Sequence, residues 1–101
     1  MSTNCEEERL FRAAMNGDLD EVKRLVIDCG LDPNARNNIG STPLHDAAFR
    51  CRIDVARILL DHGADPIIRD NEGRTPLDYG SDCEEIIEEL RRRSGATTVY
   101  K

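Results

Sequence analysis

The chain has 101 residues, enough for one domain with a modest core. Only 4% of the residues are aromatic and tryptophan is absent, so the core must be built from aliphatic side chains. The net charge of −6 and the lack of a basic stripe argue against nucleic-acid binding. The sequence shows neither an apolar run of bilayer length nor an apolar signal segment, so we expect a cytoplasmic or nuclear protein without membrane contact.

The first third of the chain predicts two helices with a break between them. The first helix begins near Cys5, and the segment 16–18 interrupts it. Its buried face consists of apolar side chains at helical spacing, namely Leu10, Ala13 and Ala14. A second helix runs over about residues 19–29, and Gly30 is placed to end it.

The middle third contains the most complete helical signals. Thr42 is placed to cap a helix, and Pro43 occupies the first turn, where a missing N–H costs nothing. The inward-facing side chains of this helix are Leu44, Ala47 and Ala48. Another helix covers about residues 53–62 and closes on Gly63.

The last third has the same organisation in a shortened form. Gly80 and Ser81 stand where the middle third has paired alanines, so its first helix should be only one or two turns long. The final helix covers about residues 82–93, with acids at its start and arginines at its end, as the helix dipole prefers. We expect two stabilising pairs there, Glu88–Arg92 and Glu89–Arg93. Residues 94–101 are polar and unpatterned, so we expect a flexible tail.

A period of 33 residues relates these segments. Thr-Pro-Leu-His at 42–45 returns as Thr-Pro-Leu-Asp at 75–78, and Gly40 and Gly73 precede the two copies. The polar corners before these glycines predict β-turns at 37–40 and 70–73. A fixed period of this length predicts a solenoid, in which each repeat buries its apolar face on its neighbours.

The pattern resembles that of ankyrin repeats. The run Asn-x-x-Gly-x-Thr-Pro-Leu-His, then paired alanines, then a helix ending Leu-Leu-Asp-His-Gly-Ala-Asp is specific to that family, and the likeness covers about residues 8–93. It implies an all-α solenoid of three stacked helix-turn-helix repeats joined by β-turns, at about 5–36, 37–69 and 70–93 within one domain at 1–93. The first repeat lacks Thr-Pro-Leu-His and the third lacks the paired alanines, as suits terminal repeats that act as caps.

In this family the turn tips and the exposed ends of the first helices line a concave groove that binds protein partners. The resemblance therefore implies a partner-binding surface at the matching positions: Met15, Asn38, Ile39, Ser41, Asp46, Phe49, Arg50, Asn71, Glu72 and Arg74. Ile39 and Phe49 are apolar where polar residues would be less costly to expose. Single apolar surface residues are normal, but their concentration on one face favours a binding patch.

We therefore expect a monomeric protein-interaction module that acts as an adapter or inhibitor. The alternative is a scaffold without a dedicated partner, either a fragment of a longer array or an engineered repeat protein. The family resemblance gives His45 a structural role, a hydrogen bond to the backbone of the adjoining turn. No nucleophile is paired with a base and no phosphate-binding glycine loop occurs, so we expect no enzyme, catalytic residue or cofactor.

The four cysteines form neither Cys-x-x-Cys pairs nor zinc-finger spacing. We expect four reduced thiols and no bound metal, with a disulfide framework as the less favoured alternative. Cys51 stands where the family normally has glycine, at a helix end that often has positive φ. Its presence reflects either a redox role or simple drift, and we expect Cys51→Gly to be neutral or stabilising.

Overall fold

The computed structural model describes residues 5–94, and in that range it is all helical. Six helices occur in chain order: α1 Glu7–Asn16, α2 Leu19–Lys23, α3 Pro43–Phe49, α4 Ile53–Asp61, α5 Pro76–Tyr79 and α6 Glu84–Ser94. A π-helical turn, Arg24–Asp28, continues α2, so the second predicted helix is present with a wider last turn. The all-α prediction is confirmed. Residues 95–101 of the expected tail lie outside the described residues.

The helices form two layers with the core between them. In one layer α1 packs on α3 and α3 on α5, while in the other α2 packs on α4 and α4 on α6. The aliphatic core runs through all three repeats, and its fully buried large side chains include Leu10, Leu25, Leu44, Leu59, Ile86 and Leu90. Within residues 5–94, no helix is long and apolar enough to span a bilayer.

Threonine begins the first helix of the second and third repeats through a reciprocal pair of hydrogen bonds. The Thr42 hydroxyl accepts a hydrogen bond from the His45 backbone N–H (3.4 Å), and the Thr42 N–H donates to His45 Nδ1 (3.0 Å). Thr75 and Asp78 make the same exchange, with the Asp78 carboxylate in place of the imidazole. Both pairs satisfy backbone donors that a helix start leaves without an internal partner.

The two predicted β-turns are confirmed and lie on adjacent repeats. Gly40 N–H donates to Asn37 O and Gly73 N–H to Asp70 O, both over 2.9 Å. The turns contact each other, because Asn71 N–H donates to Ile39 O over 3.0 Å. A Cβ on Gly40 would lie 2.8 Å from the Asn71 backbone nitrogen, so only glycine allows this approach.

The shortness of α5 has a steric cause in addition to the absence of the paired alanines from its sequence. Gly80 is buried where the helix ends, and a Cβ there would lie 2.5 Å from Ile86 Cγ2 and 3.2 Å from Ala48 O. The first of the paired alanines of α3 therefore has no room at the matching position of this repeat, because α6 approaches the backbone of Gly80 too closely.

The arginines at the end of α6 converge on one buried carboxylate. Glu89, 2% exposed, contacts Arg92, Arg93 Nε (2.9 Å) and Arg57 Nε from α4 (3.4 Å). The predicted Glu89–Arg93 pair is therefore present, whereas Arg92 contacts Glu89 rather than Glu88. Both arginines pair with Glu89 because its buried carboxylate is shielded from water and needs hydrogen-bond donors from the protein.

The prediction of four reduced thiols is wrong for this structure. Cys5 is bonded to Cys29 and Cys51 to Cys83, with Cα–Cα distances of 5.7 and 5.9 Å. Spacing along the chain could not show this, because each bond joins residues that only packing brings together. Cys5 precedes α1 and Cys29 follows the π-helical turn, whereas Cys51 follows α3 and Cys83 precedes α6.

Candidate functional site: the surface around Tyr79

Tyr79, the last residue of α5, lines two grooves. One groove, of about 300 Å³, lies over the turn tips and is lined by Ile39, Asp70, Asn71, Glu72, Arg74 and Tyr79. The other, of about 500 Å³, lies between α3 and α6, and Phe49 and Tyr79 line it together with Cys51, Cys83 and Glu85 among others. We call Ile39, Phe49, Arg50 and Tyr79 the Tyr79 surface.

The second β-turn, at residues 70–73, fixes the position of the Tyr79 ring through the Tyr79 hydroxyl. Its hydroxyl donates to Asp70 Oδ2, while Asp70 Oδ1 accepts from the backbone N–H groups of Glu72 and Arg74, each over 2.9 Å. The Tyr79 hydrogen bond, with help from these amides, lowers the pKa of Asp70 to about 2. The same hydrogen bond raises the pKa of Tyr79, so its phenol stays protonated and remains a donor.

His45 lies behind this ring and joins two repeats. The Thr42 N–H occupies Nδ1, so Nδ1 is the acceptor, and Nε2–H donates to Arg74 O over 2.9 Å. Burial lowers the pKa of His45, which keeps the imidazole neutral. The ring stands edge-on to Tyr79, with centroids 5.1 Å apart. The structural role predicted for His45, a bond to the adjoining turn, is confirmed.

Phe49 is the most prominent apolar side chain of the Tyr79 surface. It is 60% exposed at the end of α3, and its ring stands edge-on to Tyr79 with centroids 6.2 Å apart. The Arg50 guanidinium carbon lies 5.9 Å from the Phe49 centroid, within range of a cation–π contact. An exposed aromatic ring with a cation beside it is the residue combination that concentrates binding energy at interfaces.

The turn tips supply the second part of the surface. Ile39 is 55% exposed, and the backbone carbonyl of Asn38 accepts a bond from Asn71 Nδ2 (3.3 Å), which ties the two tips together. Arg74 Nη1 lies 2.8 Å from Glu72 Oε1, so these two exposed charges partly neutralise each other. Five of the residues expected at the partner-binding surface therefore lie at the two turn tips or in the groove over them: Asn38, Ile39, Asn71, Glu72 and Arg74.

Three of the expected residues are placed less favourably. Ser41 is only 1% exposed, so its side chain does not belong to an accessible surface. Met15 and Asp46 are half-buried and line neither of the two grooves. Burial raises the pKa of Asp46 to about 6, an effect that the Arg50 charge partly offsets. We therefore leave Ser41 out of the proposed surface and treat Met15 and Asp46 as its margin.

Sequence reasoning missed Tyr79, which links the two grooves. A signal existed, because Tyr79 follows Asp46 by the 33-residue period and so occupies an inner-helix position of the same kind. The third repeat departs from the family pattern from Asp78 onward, so the resemblance implies no surface position in that repeat beyond Arg74.

The sequence profile described as Ankyrin repeats (3 copies) matches residues 10–100. The chain therefore belongs to the ankyrin-repeat family. Ankyrin repeats are in general protein-interaction modules, and proteins of the family are typically not enzymes. Among curated protein sequences, none matches the chain significantly.

Proposed function

We propose that the chain binds a protein partner through the Tyr79 surface and acts as an adapter or inhibitor. The observation that carries the proposal is the exposed Phe49 ring, supported on Tyr79 and flanked by Arg50. Among the described residues, the large exposed hydrophobics are Ile27, Ile39, Phe49 and Ile67. Ile39 and Phe49 each lie beside Tyr79, so two of the four belong to one surface.

The chemistry of this surface indicates what a partner must present. An apolar side chain placed on Phe49 and Tyr79 would bury area that water now covers, which is the main favourable term in association. A carboxylate beside it would pair with Arg50. Binding rather than catalysis fits this arrangement, since the two cysteines that line the larger groove are joined in a disulfide and no serine, threonine or cysteine lines the smaller one.

The proposal includes a monomer that works in the cytoplasm or nucleus. Sedimentation equilibrium at micromolar concentration should give one chain per particle, and a fluorescent fusion should distribute between the two compartments. A stable dimer that protects Phe49 from solvent would replace the partner proposal with self-association.

The decisive experiment compares Phe49→Ala and Arg50→Ala with Ile27→Ala. Partners are captured on immobilised chain, identified by mass spectrometry, expressed singly and titrated by calorimetry. Truncating Phe49 or Arg50 should weaken binding by roughly 1–4 kcal/mol, because aromatic and arginine side chains at a desolvated centre carry most interface energy. Ile27 is 51% exposed on the π-helical turn and away from the Tyr79 surface, so it is the matched control.

Equal affinities for wild type, Phe49→Ala and Arg50→Ala would reject the Tyr79 surface. Loss of binding only with Ile27→Ala would move the site to the outer helices. The alternative function, a scaffold without a dedicated partner, predicts that no captured protein binds the wild type more tightly than the Phe49→Ala variant.

A further inference from the structure

We propose that Cys51, Cys83 and Glu85 form a zinc-binding site when the disulfide between the two cysteines is reduced. The two sulfurs and a Glu85 carboxylate oxygen all lie within 4.8 Å of one another. Thiolate, thiolate and carboxylate are ligand types that zinc accepts together, and three protein ligands leave the fourth tetrahedral position to water or to another donor. This inference does not depend on the proposed partner-binding function.

The backbone positions suit a shared ion. The Cα atoms of Cys51 and Cys83 are 5.9 Å apart. With Zn–S bonds of about 2.3 Å, tetrahedral geometry places two thiolates about 3.8 Å apart and a thiolate and a carboxylate oxygen about 3.5 Å apart. Reduced sulfurs move apart to reach this spacing, and the exposed Glu85 side chain has the freedom to move inward.

One side of the site is acidic, which favours a cation, whereas Arg52 lies on the other side of Cys51 with its Nε donating to Met15 O over 3.0 Å. The groove on the acidic side is lined by Asp82, Glu84 and Glu85, and by no basic residue among its lining positions. Cys83 immediately precedes α6, and Ile87 N–H donates to its carbonyl (3.0 Å), so its sulfur lies at a helix start, where a thiolate is stabilised. Two thiolates and one carboxylate carry three negative charges, of which zinc neutralises two.

The second cysteine pair provides an internal contrast. Cys5 and Cys29 have almost the same Cα separation, 5.7 Å, but the Arg24 guanidinium donates toward the Cys29 sulfur over 3.8 Å. The guanidinium, which Glu21 also holds through two bonds of 3.0 Å, has no acceptor atom and cannot serve as a metal ligand. Within residues 5–94, the Cys51 pair alone has a third ligating side chain within reach.

The chemistry balances with a dithiol as reductant. Thiol–disulfide exchange oxidises the dithiol to its own disulfide and transfers two electrons and two protons, which leaves Cys51 and Cys83 as thiols. Zinc then displaces the two thiol protons into solvent as it forms two Zn–S bonds, and a Glu85 carboxylate oxygen supplies the third bond. Exchange in the reverse direction, with a small-molecule disulfide as the two-electron oxidant that is reduced to its thiols, re-forms the Cys51–Cys83 bond and releases the ion.

The test uses two double variants of the full chain. Cys5→Ser/Cys29→Ser keeps the proposed site, and Cys51→Ser/Cys83→Ser keeps the contrast pair. Each is reduced with a phosphine, freed of metal, and titrated anaerobically with Co²⁺ and then Zn²⁺. We expect the first variant alone to show a thiolate-to-cobalt charge-transfer band that saturates at one ion per chain and disappears when zinc displaces the cobalt.

A second comparison tests the contribution of the third ligand. It uses Glu85→Gln and Glu84→Gln, both made in the Cys5→Ser/Cys29→Ser variant. Loss of an outer-shell partner already costs 10- to 100-fold in metal affinity, so Glu85→Gln should weaken zinc binding at least about tenfold. Glu84→Gln should leave it unchanged. Equal zinc affinity in both double cysteine variants, half an ion per chain, or an unaffected Glu85→Gln variant would each overturn the proposal. Helical circular dichroism is recorded in the same samples, and a reduced chain that unfolds and is not restored by zinc would also overturn it.

Discussion

The ring of Phe49 stands edge-on to the ring of Tyr79, 6.2 Å between centroids, and the hydroxyl of Tyr79 is itself fixed on Asp70. The exposed ring of one repeat is thus oriented by the turn of the next. The Tyr79 surface consequently depends on a hydrogen bond beneath it as well as on the side chains that face solvent.

Tyr79→Phe should raise the pKa of Asp70 from about 2 toward its ordinary value of 3.8, because the hydroxyl is the main group that lowers it. In wild type, the folded pKa is below the unfolded one, so this carboxylate stabilises the fold above about pH 4, and the contribution is lost as the pH falls toward 2. The variant should lose less stability on acidification. Carbon-13 NMR titration of the Asp70 carboxyl measures the shift directly. Tyr79→Leu should shift Asp70 equally but also weaken partner binding, since it removes the ring beside Phe49.

His45→Ala should cost about 2–4 kcal/mol of unfolding free energy, because it leaves a buried N–H of Thr42 without a partner and removes one of the two hydrogen bonds to the carbonyl of Arg74, which Asp70 N–H also donates to. Asp78→Ala removes the corresponding group of the next repeat, where the side chain is exposed and caps only its own helix. That variant should cost about 0.3–1.5 kcal/mol. Urea unfolding of both variants gives the comparison. Similar losses at the two positions would mean that the bond between repeats contributes little.

Asp46→Asn should stabilise the fold at pH 7 by about 1–3 kcal/mol, since the folded carboxyl has a pKa of about 6 against 3.8 ordinarily. A folded pKa above the unfolded one means that the folded chain binds more protons, so wild type loses stability as the pH rises from about 4 to 6. The gain from the variant should therefore vanish below pH 4. Asp54→Asn, at an exposed carboxyl that pairs only distantly with Arg57 (3.9 Å), should give a gain near zero at both pH values. Thermal melts at pH 3.5 and 7 check both expectations.

Cys51→Gly should have effects of opposite sign in the two redox states. Cys51 has φ of 58°, a left-handed conformation that favours glycine, so with reductant and chelator present the variant should gain about 1 kcal/mol. Without reductant it loses a bond that spans 32 residues, which should cost about 3 kcal/mol before that gain is counted. The earlier expectation of a neutral or stabilising change thus applies only to the reduced chain.

Cys83→Ser is the control for this pair of measurements, because it breaks the same bond at a residue without positive φ. It should lose stability without reductant and change little with it. If Cys51→Gly is destabilising under both conditions, the side chain of Cys51 contributes packing beyond the disulfide.

Much of the fold was predictable because the repeats use the same short-range hydrogen bonds at corresponding positions. Thr42 and Thr75 begin helices through contacts three residues along the chain, and Gly40 and Gly73 close turns through bonds over the same distance. Interactions this short are encoded in neighbouring residues. The period then indicates which faces stack, so the core residues follow from helical spacing.

The sequence by itself thus determined the repeat number, the helix order and the turns, and its resemblance to ankyrin repeats implied the role of His45. Only the tertiary structure decided which cysteines meet, that Arg92 turns to Glu89, that Ser41 is buried, and that Tyr79 joins the two grooves. Each of these depends on the distance between side chains of different helices, or on how far a helix such as α6 approaches Gly80. Such distances are set by how the repeats pack, and the periodicity of the chain carries no information about them.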